Sequence, residues 1–185
     1  AKGSDGHAFV HDGVDGVGLE LYRAVRQNGE LYADWGAIIT DLPNHKGFFD
    51  MQKNSNGDNE RWGARATGLC AWGGVATKEE IASGMIPHAI AMALPYPSKK
   101  FVAPAIASDG FATMQTWMPL WMSWNPGIPE GQRFRLKASY AIPTTACQFV
   151  RVVLKAMQDY GFWIVDRTTD RIGLYCEDRK QFGEA

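Results

Sequence analysis

The segment that most constrains the fold is residues 77–94, which predicts a short helix, a stop and a strand. Thr77 and Glu80 have the spacing of a capping box, and Gly84 stands where a helix C-terminus favours positive φ. Large apolar residues then alternate with small ones, a period of two that indicates a strand. Because both faces are apolar, we expect both to be buried and His88 to point into a packed or cleft-lining layer.

The composition is that of an ordinary globular protein. The chain has 185 residues, of which 45% are hydrophobic and 21% charged, with a formal net charge of −1. We expect one domain over residues 1–185, with segments 1–16 and 178–185 peripheral. The absence of a long basic run predicts no nucleic-acid partner, and the absence of a long apolar run predicts no membrane span. Because the chain opens without methionine, we expect a processed or trimmed product.

Neither the cysteines nor the histidines form a strong metal motif. Cys70, Cys147 and Cys176 lack CxxC spacing, which predicts neither a zinc site nor a dithiol redox site. One disulfide with a free thiol and three separate thiols both remain open. His7 and His11 have the spacing of two metal ligands on a helix, but the glycines around them indicate a loop. We predict no metal site and assign no cofactor.

Alternating residues elsewhere predict a mainly antiparallel β protein. Two strands, residues 17–24 and 31–40, flank the turn at residues 27–30 and predict a hairpin. Residues 41–61 predict a long loop, and loops of this length are usually functional or disordered. Residues 63–74, rich in glycine, predict a strand against which another backbone packs closely.

The last third of the chain predicts a strand, the longest helix and a closing hairpin. The strand covers residues 128–136. The helix has a capping box formed by Thr145 and the glutamine three residues later, and it stops at Gly161 after about four turns. Residues 162–166 and 171–176 are expected to pair as a hairpin. Together the elements predict an α+β fold with mainly antiparallel, β-sandwich-like sheets, one long C-terminal helix and one short helix.

The seven tryptophans favour a protein that presents aromatic surface to a ligand. Trp35, Trp117 and Trp121 are the aromatic binding candidates, and sugar faces are the usual ligand of such surfaces. Trp117 and Trp121 have helical spacing, but Pro119 interrupts a regular helix. Packing of these rings against the core remains the alternative.

Phrases in several parts of the chain resemble one known family. They are the strand Leu19-Glu20-Leu21-Tyr22-Arg23-Ala24, the turn Ser108-Asp109-Gly110, and the segments Ile86-Pro-His-Ala-Ile, Ile128-Pro-Glu-Gly-Gln-Arg-Phe-Arg-Leu and Ala156-Met-Gln-Asp-Tyr-Gly-Phe-Trp-Ile-Val-Asp166. Through them the chain resembles a largely uncharacterised family of secreted bacterial proteins with the motifs IPHA, IPEGxRxRL and QxYGxxxVD. The likeness extends over most of residues 15–178, whereas the tryptophan-rich residues 117–124 depart from it. The resemblance implies an extracellular location and work on polysaccharides.

Two reaction types are open for an enzyme that cleaves polysaccharides. A lyase needs a group that neutralises the uronate carboxylate, a base and an acid, which Arg65, His88 and Tyr22 supply in turn. The alternative for His88 is a core histidine bonded to a backbone carbonyl. A hydrolase needs two carboxylates about 5 to 10 Å apart. Glu20 and Asp34 are candidates across the first hairpin.

Asp109 is a further candidate, and each of these carboxylates is alternatively a surface charge or a cap. The sequence therefore predicts an extracellular polysaccharide-directed protein, a lyase or a hydrolase, with a polysaccharide or other glycan as its partner. The alternative is a non-catalytic carbohydrate-binding or extracellular assembly module, in which the tryptophans bind sugar and no proton is transferred. The oligomeric state stays open.

Overall fold

The protein is described by a computed structural model that covers residues 6–50, 52–53, 59–60, 63–110 and 127–178. Within these residues there are two α-helices, α1 (Lys78–Ser83) and α2 (Gln148–Asp159). The strands are β1 (Ala8–Asp12), β2 (Val17–Tyr22), β3 (Val25–Gln27), β4 (Glu30–Tyr32), β5 (Trp35–Ile39), β6 (Gln52–Lys53), β7 (Asn59–Glu60), β8 (Ile90–Leu94), β9 (Pro97–Phe101), β10 (Ile128–Glu130), β11 (Arg133–Phe134), β12 (Phe162–Arg167) and β13 (Gly173–Leu174). Neither described helix has the length and apolar character needed to cross a membrane.

The predicted α+β class with mainly antiparallel sheets is confirmed. Six of the eight strand pairings in the described residues are antiparallel, and the parallel pairs are β8 with β12 and β9 with β10. The two larger sheets have the strand orders β1-β2-β5 and β11-β12-β8-β13. A hydrophobic core lies between the four-stranded sheet and the two helices, and its buried residues are Ala76, Ile86, Ile90, Met92, Val152, Val153, Ala156 and Ile164.

The first hairpin forms at the predicted turn. Asn28 and Gly29 both have positive φ, 54° and 85°, which is the backbone that a two-residue hairpin turn requires. A break in the strands at Arg23, also at positive φ, separates the short pair β3–β4 from the longer pair β2–β5. On one face of the longer pair, Glu20 and Ala37 lie opposite each other and are buried.

In residues 77–94, the helix forms where it was predicted, but the strand begins further along the chain than predicted. Thr77 and Glu80 form both bonds of the capping box, and Gly84 ends α1 with φ 84°. The strand begins at Ile90, so the prediction that it includes residues 86–89 is wrong. Pro87 has no N–H to donate to a ladder, which explains the late start. Within β8, every residue up to Ala93 is buried, as the two apolar faces predict.

The predicted C-terminal hairpin is wrong, because β8 lies between β12 and β13. A buried strand needs partners on both edges for its N–H and C=O groups, and β8 obtains them from β12 in parallel and β13 antiparallel. The helix α2 connects the two parallel strands through their crossover, as parallel pairing requires.

The helix α2 has 12 residues and starts later than predicted. Its N-cap is Cys147, and no side chain caps it, so the capping box expected at Thr145 is wrong. Gln148 instead donates from Nε2 to the carbonyl oxygen of Ile81 in α1, at 2.9 Å. Gly161, with φ 86°, follows the last turn and stops the helix as predicted.

Residues 63–74 form no strand, contrary to the prediction. Leu69 makes an isolated bridge to Phe48, and the rest of the segment is irregular. Positive φ at three glycines breaks the extended backbone, at Gly63, Gly68 and Gly74. The predicted close approach of another backbone is confirmed, since a Cβ on Gly74 would lie 2.6 Å from the nitrogen of Ala91.

Candidate active site

Three carboxyl groups from distant parts of the chain come together and are here called the carboxyl cluster: Asp109, Glu130 and Asp166. Asp166 pairs with Ala93, so it lies at the C-terminal ends of the parallel strands β8 and β12. Glu130 ends β10, and Asp109 donates from its backbone nitrogen to Glu130 Oε2 at 3.2 Å. Carboxyl ends of parallel strands are where open sheets most often bind ligands.

Glu130 and Asp109 form a pair whose electrostatics are unusual. Glu130 is fully buried, and its Oε1 receives no hydrogen bond from any N–H or O–H group of the described residues; the same is true of the buried Oδ1 of Asp109. The pKa of Glu130 is raised to about 8, mainly because the side chain is buried; Ser108 opposes this shift, and the neighbouring carboxyl group of Asp109 contributes to it. Glu130 therefore keeps its proton at neutral pH.

Asp166 is buried beside this pair and is held by two donors. It accepts hydrogen bonds from the Tyr175 hydroxyl and from the backbone nitrogen of Arg167. Burial raises the pKa of Asp166, the bonds from Tyr175 and Arg167 lower it, and the charge of Asp109 raises it again. The carboxyl cluster thus contains groups of one sign, which disfavours their simultaneous ionisation.

Asp109 is the member of the cluster that reaches the surface. Its side chain is 32% exposed, and Arg167 Nε lies 3.6 Å from its Oδ2. The cluster consequently has a buried end at Glu130 and an open end at Asp109, with a cation at the opening. The cluster therefore combines a protonated acid at its buried end with a carboxyl group at the surface, which are the groups that general acid catalysis uses.

Aromatic rings extend from the cluster toward the first hairpin. His7 lies between Tyr175 and Tyr22, with ring centroids 6.4 Å and 5.4 Å away. The Nε2 of His7 lies 3.1 Å from the carbonyl oxygen of Ala64, which fixes the ring. Tyr22 is the register partner of Trp35, so both side chains project to the same face of the sheet.

Of the residues selected from the sequence, Tyr22 and Trp35 lie opposite each other and Asp109 belongs to the carboxyl cluster, whereas the predicted pairing of Glu20 with Asp34 is wrong. Glu20 lies opposite Ala37, and Asp34 forms an exposed ion pair with Arg23 at 3.0 Å. Both Glu20 oxygens accept backbone hydrogen bonds, which come from residues 64 and 71. This geometry gives Glu20 a structural function.

Arg65 also holds the irregular segment together. Its guanidinium is buried and donates to the carbonyl oxygens of Cys70, Ala71 and Gly73. It also lies over the Tyr175 ring, 4.3 Å from the centroid. Because its N–H groups donate to backbone carbonyl oxygens, Arg65 is not free to neutralise a sugar carboxylate. Its contact with the site is the packing of its guanidinium on Tyr175.

His88 lies at the other end of β8 from the carboxyl cluster. It precedes the first residue of β8, whereas the cluster adjoins Ala93. Its Nε2 lies 3.0 Å from Glu80 Oε1, its Nδ1 contacts the carbonyl oxygen of Ala89, and its side chain is about one-third exposed. His88 is thus partly buried, and its observed contacts are with Glu80 and the backbone of Ala89, not with Arg65 or Tyr22.

Several residues of this site were missed by sequence reasoning, namely Glu130, Asp166, Arg167, Tyr175 and, as part of the aromatic row, His7. Asp166 had a recognisable signal, because a carboxylate directly after an apolar strand often marks a site at the strand end. Glu130 and Asp166 also stand in two of the phrases on which the family resemblance depends. Trp117 and Trp121 lie outside the described residues.

The described residues offer no arrangement typical of metal or thiol chemistry. No group of three His, Cys, Asp or Glu side chains among them is placed to hold a metal ion. All three cysteines are free thiols. Burial, and to a smaller extent the nearby Glu20, raise the pKa of Cys70 to about 12. Cys70 therefore stays protonated at neutral pH and is a poor nucleophile.

A cavity of about 480 Å³ lies elsewhere and is lined by Phe134, Arg135, Leu136, Lys137, Ser139, Tyr140 and Phe162. This lining contains no carboxylate and no histidine, so it lacks the acid and base that the carboxyl cluster supplies. The carboxyl cluster, and not this cavity, therefore has the groups that acid and base chemistry needs.

No family model, no curated protein and no solved structure matches this chain.

Proposed function

We propose that this chain is an extracellular polysaccharide-directed enzyme that cleaves glycosidic bonds at the carboxyl cluster. The observation that carries the proposal is the Asp109–Glu130 pair, in which a buried acid with a pKa of about 8 stands behind a surface carboxylate. Glycoside cleavage needs a carboxyl group that is protonated at neutral pH, and burial is the usual way to obtain one. The extracellular setting and the polysaccharide class come from the family resemblance.

In a hydrolase, water attacks the anomeric carbon as the glycosidic C–O bond breaks, and Asp109 delivers to the leaving oxygen a proton that Glu130 supplies. The proton that the attacking water releases returns to the carboxyl groups of the cluster. Glu130 is too deeply buried to touch a substrate, so it is a positioning residue, and Asp109 is the catalytic residue. Asp166 is the second carboxyl group of the site, held in place by Tyr175. This division of tasks between carboxyl groups follows from their different burial.

A lyase reaction is the second chemistry that the site supports. The guanidinium of Arg167 stands beside Asp109 at the surface, where it would neutralise the carboxylate of a uronate sugar. Asp109 would then accept the proton from the sugar carbon. The two reactions give different products, so one assay distinguishes them.

The alternative function is a non-catalytic carbohydrate-binding or extracellular assembly module. The exposed rings of Trp35 and Tyr32 on the first hairpin favour it, because large aromatic surfaces are rarely left in water without a ligand or partner. Such a module would bind glycan without any change in the glycosidic bonds.

The test is incubation with a panel of neutral and uronate polysaccharides. We would follow reducing ends and the ultraviolet absorbance of an unsaturated product. Asp109→Asn is expected to lose turnover at least about 100-fold, the usual value of a positioned acid or base. The matched control is Asp159→Asn, since Asp159 is also a partly exposed carboxylate beside a cation, Lys155, but lies on α2.

Reducing ends without absorbance would indicate a hydrolase, and reducing ends with absorbance a lyase. Equal loss in both variants, or none in either, would contradict the assignment of Asp109. If no polysaccharide is cleaved but an affinity gel retards the protein, the binding module replaces the enzyme.

The finer fold prediction also remains a proposal, namely a sandwich of the two larger sheets with α2 as its one long helix. Its support is the buried segment 63–71, which bonds to both sheets. Glu20 on β2 accepts from it, and its Thr67 Oγ1 donates to the carbonyl oxygen of Val165 on β12 at 2.9 Å. Buried side chains between two sheets are typical of a sandwich core.

A further inference from the structure

We propose that the row of rings formed by Trp35, Tyr22, His7 and Tyr175, here called the aromatic row, provides successive sugar-binding subsites that lead to the carboxyl cluster. This inference rests on the proposed function and specifies its substrate: a glycan chain of several sugar units that extends from Asp109 toward β5.

The aromatic row runs from the carboxyl cluster through three rings in contact, and Trp35 stands opposite the last of them in the sheet register. Tyr175 donates its hydroxyl hydrogen to Asp166, so the inner end of the row contacts the cluster directly. His7 bridges Tyr175 and Tyr22 at centroid distances of 6.4 Å and 5.4 Å. Trp35, opposite Tyr22 across the strands, is 49% exposed and forms the outer end.

The rings of the row are fixed before any ligand arrives. Tyr22 and Trp35 stand on paired strands, and His7 is held by the carbonyl oxygen of Ala64. The backbone before His7 is also tied down, since Gly6 accepts a hydrogen bond from the nitrogen of Ala24 at 2.8 Å. A surface that is already ordered loses little conformational entropy on binding, which favours affinity.

The chemistry of the row fits sugar rings better than an apolar partner. Tyrosine, histidine and tryptophan combine flat apolar faces with polar N–H or O–H edges, and a sugar ring presents apolar C–H faces edged by hydroxyl groups. Arg23 and Asp34 form an exposed ion pair, and Asp34 directly precedes Trp35 in the chain. The outer end of the aromatic row is therefore next to solvated charges. A partner that covered Trp35 with apolar side chains would have to desolvate these charges at a cost.

The inference predicts that activity depends on substrate length. For oligosaccharides of increasing length, we expect kcat/KM to rise until the chain spans the aromatic row. Trp35→Ala should lower kcat/KM about tenfold on long oligosaccharides, the loss typical of one aromatic contact residue. On the shortest oligosaccharide that is cleaved, the loss of kcat/KM should be smaller, because that substrate does not reach Trp35. The matched control is Trp72→Ala, since Trp72 is 42% exposed but stacks on Phe9 outside the row.

The outcomes separate this inference from the proposed function. Equal loss on short and long oligosaccharides in Trp35→Ala, or equal loss in both tryptophan variants, would overturn the subsites while leaving the enzyme intact. If the unaltered protein cleaves nothing, the proposed function fails and an affinity gel with long glycan tests the row alone. Retardation that is lost in Trp35→Ala and kept in Trp72→Ala would support the row, and any other gel result would overturn it.

Discussion

At the scale of single residues, Glu130 has the environment that most affects both stability and chemistry. Burial raises its pKa from the ordinary 4.5 to about 8, because the charged form lacks solvent. Between these pH values the folded protein binds a proton that the unfolded chain releases. The stabilisation by the protonated acid is therefore complete below about pH 4.5 and is lost as the pH rises toward 8.

We expect the free energy of unfolding to fall across this pH range because of Glu130, by up to about 1.4 kcal/mol per pH unit. Glu130→Gln should abolish most of this slope, because glutamine resembles the protonated acid and cannot ionise. Urea unfolding at several pH values between 5 and 8.5 measures the effect. An unchanged slope in Glu130→Gln would mean that Glu130 ionises normally.

Arg65 should be a large contributor to stability. We expect Arg65→Met to lower the free energy of unfolding by about 3 kcal/mol, because one buried and two part-buried carbonyl oxygens lose their donor. Arg171→Met is the control, since Arg171 is largely exposed and pairs only with its neighbour Asp170 among the described contacts. Thermal unfolding of both variants measures the difference, and similar melting temperatures would disprove this function of Arg65.

His88 distinguishes the structural account from the prediction made from the sequence. Its partly exposed contact with Glu80 should contribute at most about 1 kcal/mol to stability. We expect His88→Ala to retain full turnover on any polysaccharide that the unaltered protein cleaves. A loss of turnover without a loss of folded protein, measured by circular dichroism, would restore His88 as a catalytic residue.

At the scale of elements, the predictions that succeeded depend on residues that are close in sequence. The capping box of α1, the Asn28-Gly29 turn and the glycine stop after α2 are each defined within a few residues. The order of strands around β8 depends on pairings across the whole chain, which periodicity does not specify. The start of α2 failed for a related reason, since Gln148 bonds to α1 and not to its own helix N-terminus.

Two helix-ending glycines allow the cost of positive φ to be separated from the cost of a close contact. Gly84 and Gly161 have φ values of 84° and 86°, but a Cβ on Gly84 meets nothing within 4 Å, whereas one on Gly161 would collide with the carbonyl oxygen of Phe134. We expect Gly84→Ala to cost about 1 kcal/mol through backbone strain alone. Gly161→Ala should cost at least about 2 kcal/mol more.

Urea unfolding of these two variants measures both costs. The loop after α1 is open to solvent, so the smaller effect belongs to Gly84→Ala. Equal effects would show that the backbone can shift at Gly161 and relieve the collision with Phe134.

At the scale of the whole molecule, the candidate site exists only because the fold joins segments that are far apart in sequence. Asp109 comes from an irregular segment, Glu130 from β10 and Asp166 from β12. The sequence indicated Asp109, Tyr22 and Trp35 individually. It could not indicate that Glu130 lies behind Asp109, because burial of a glutamate between proline and glycine has no local pattern.

The central claim is that Glu130 keeps its proton at neutral pH behind Asp109. Carbon-13 NMR of the side-chain carboxyl carbons, followed as a function of pH in the unaltered protein and in Glu130→Gln, tests it most directly. We expect one glutamate resonance to titrate near pH 8 and to be absent from Glu130→Gln. If every glutamate titrates near its ordinary pKa, the proton store does not exist and the proposed acid catalysis at Asp109 is contradicted.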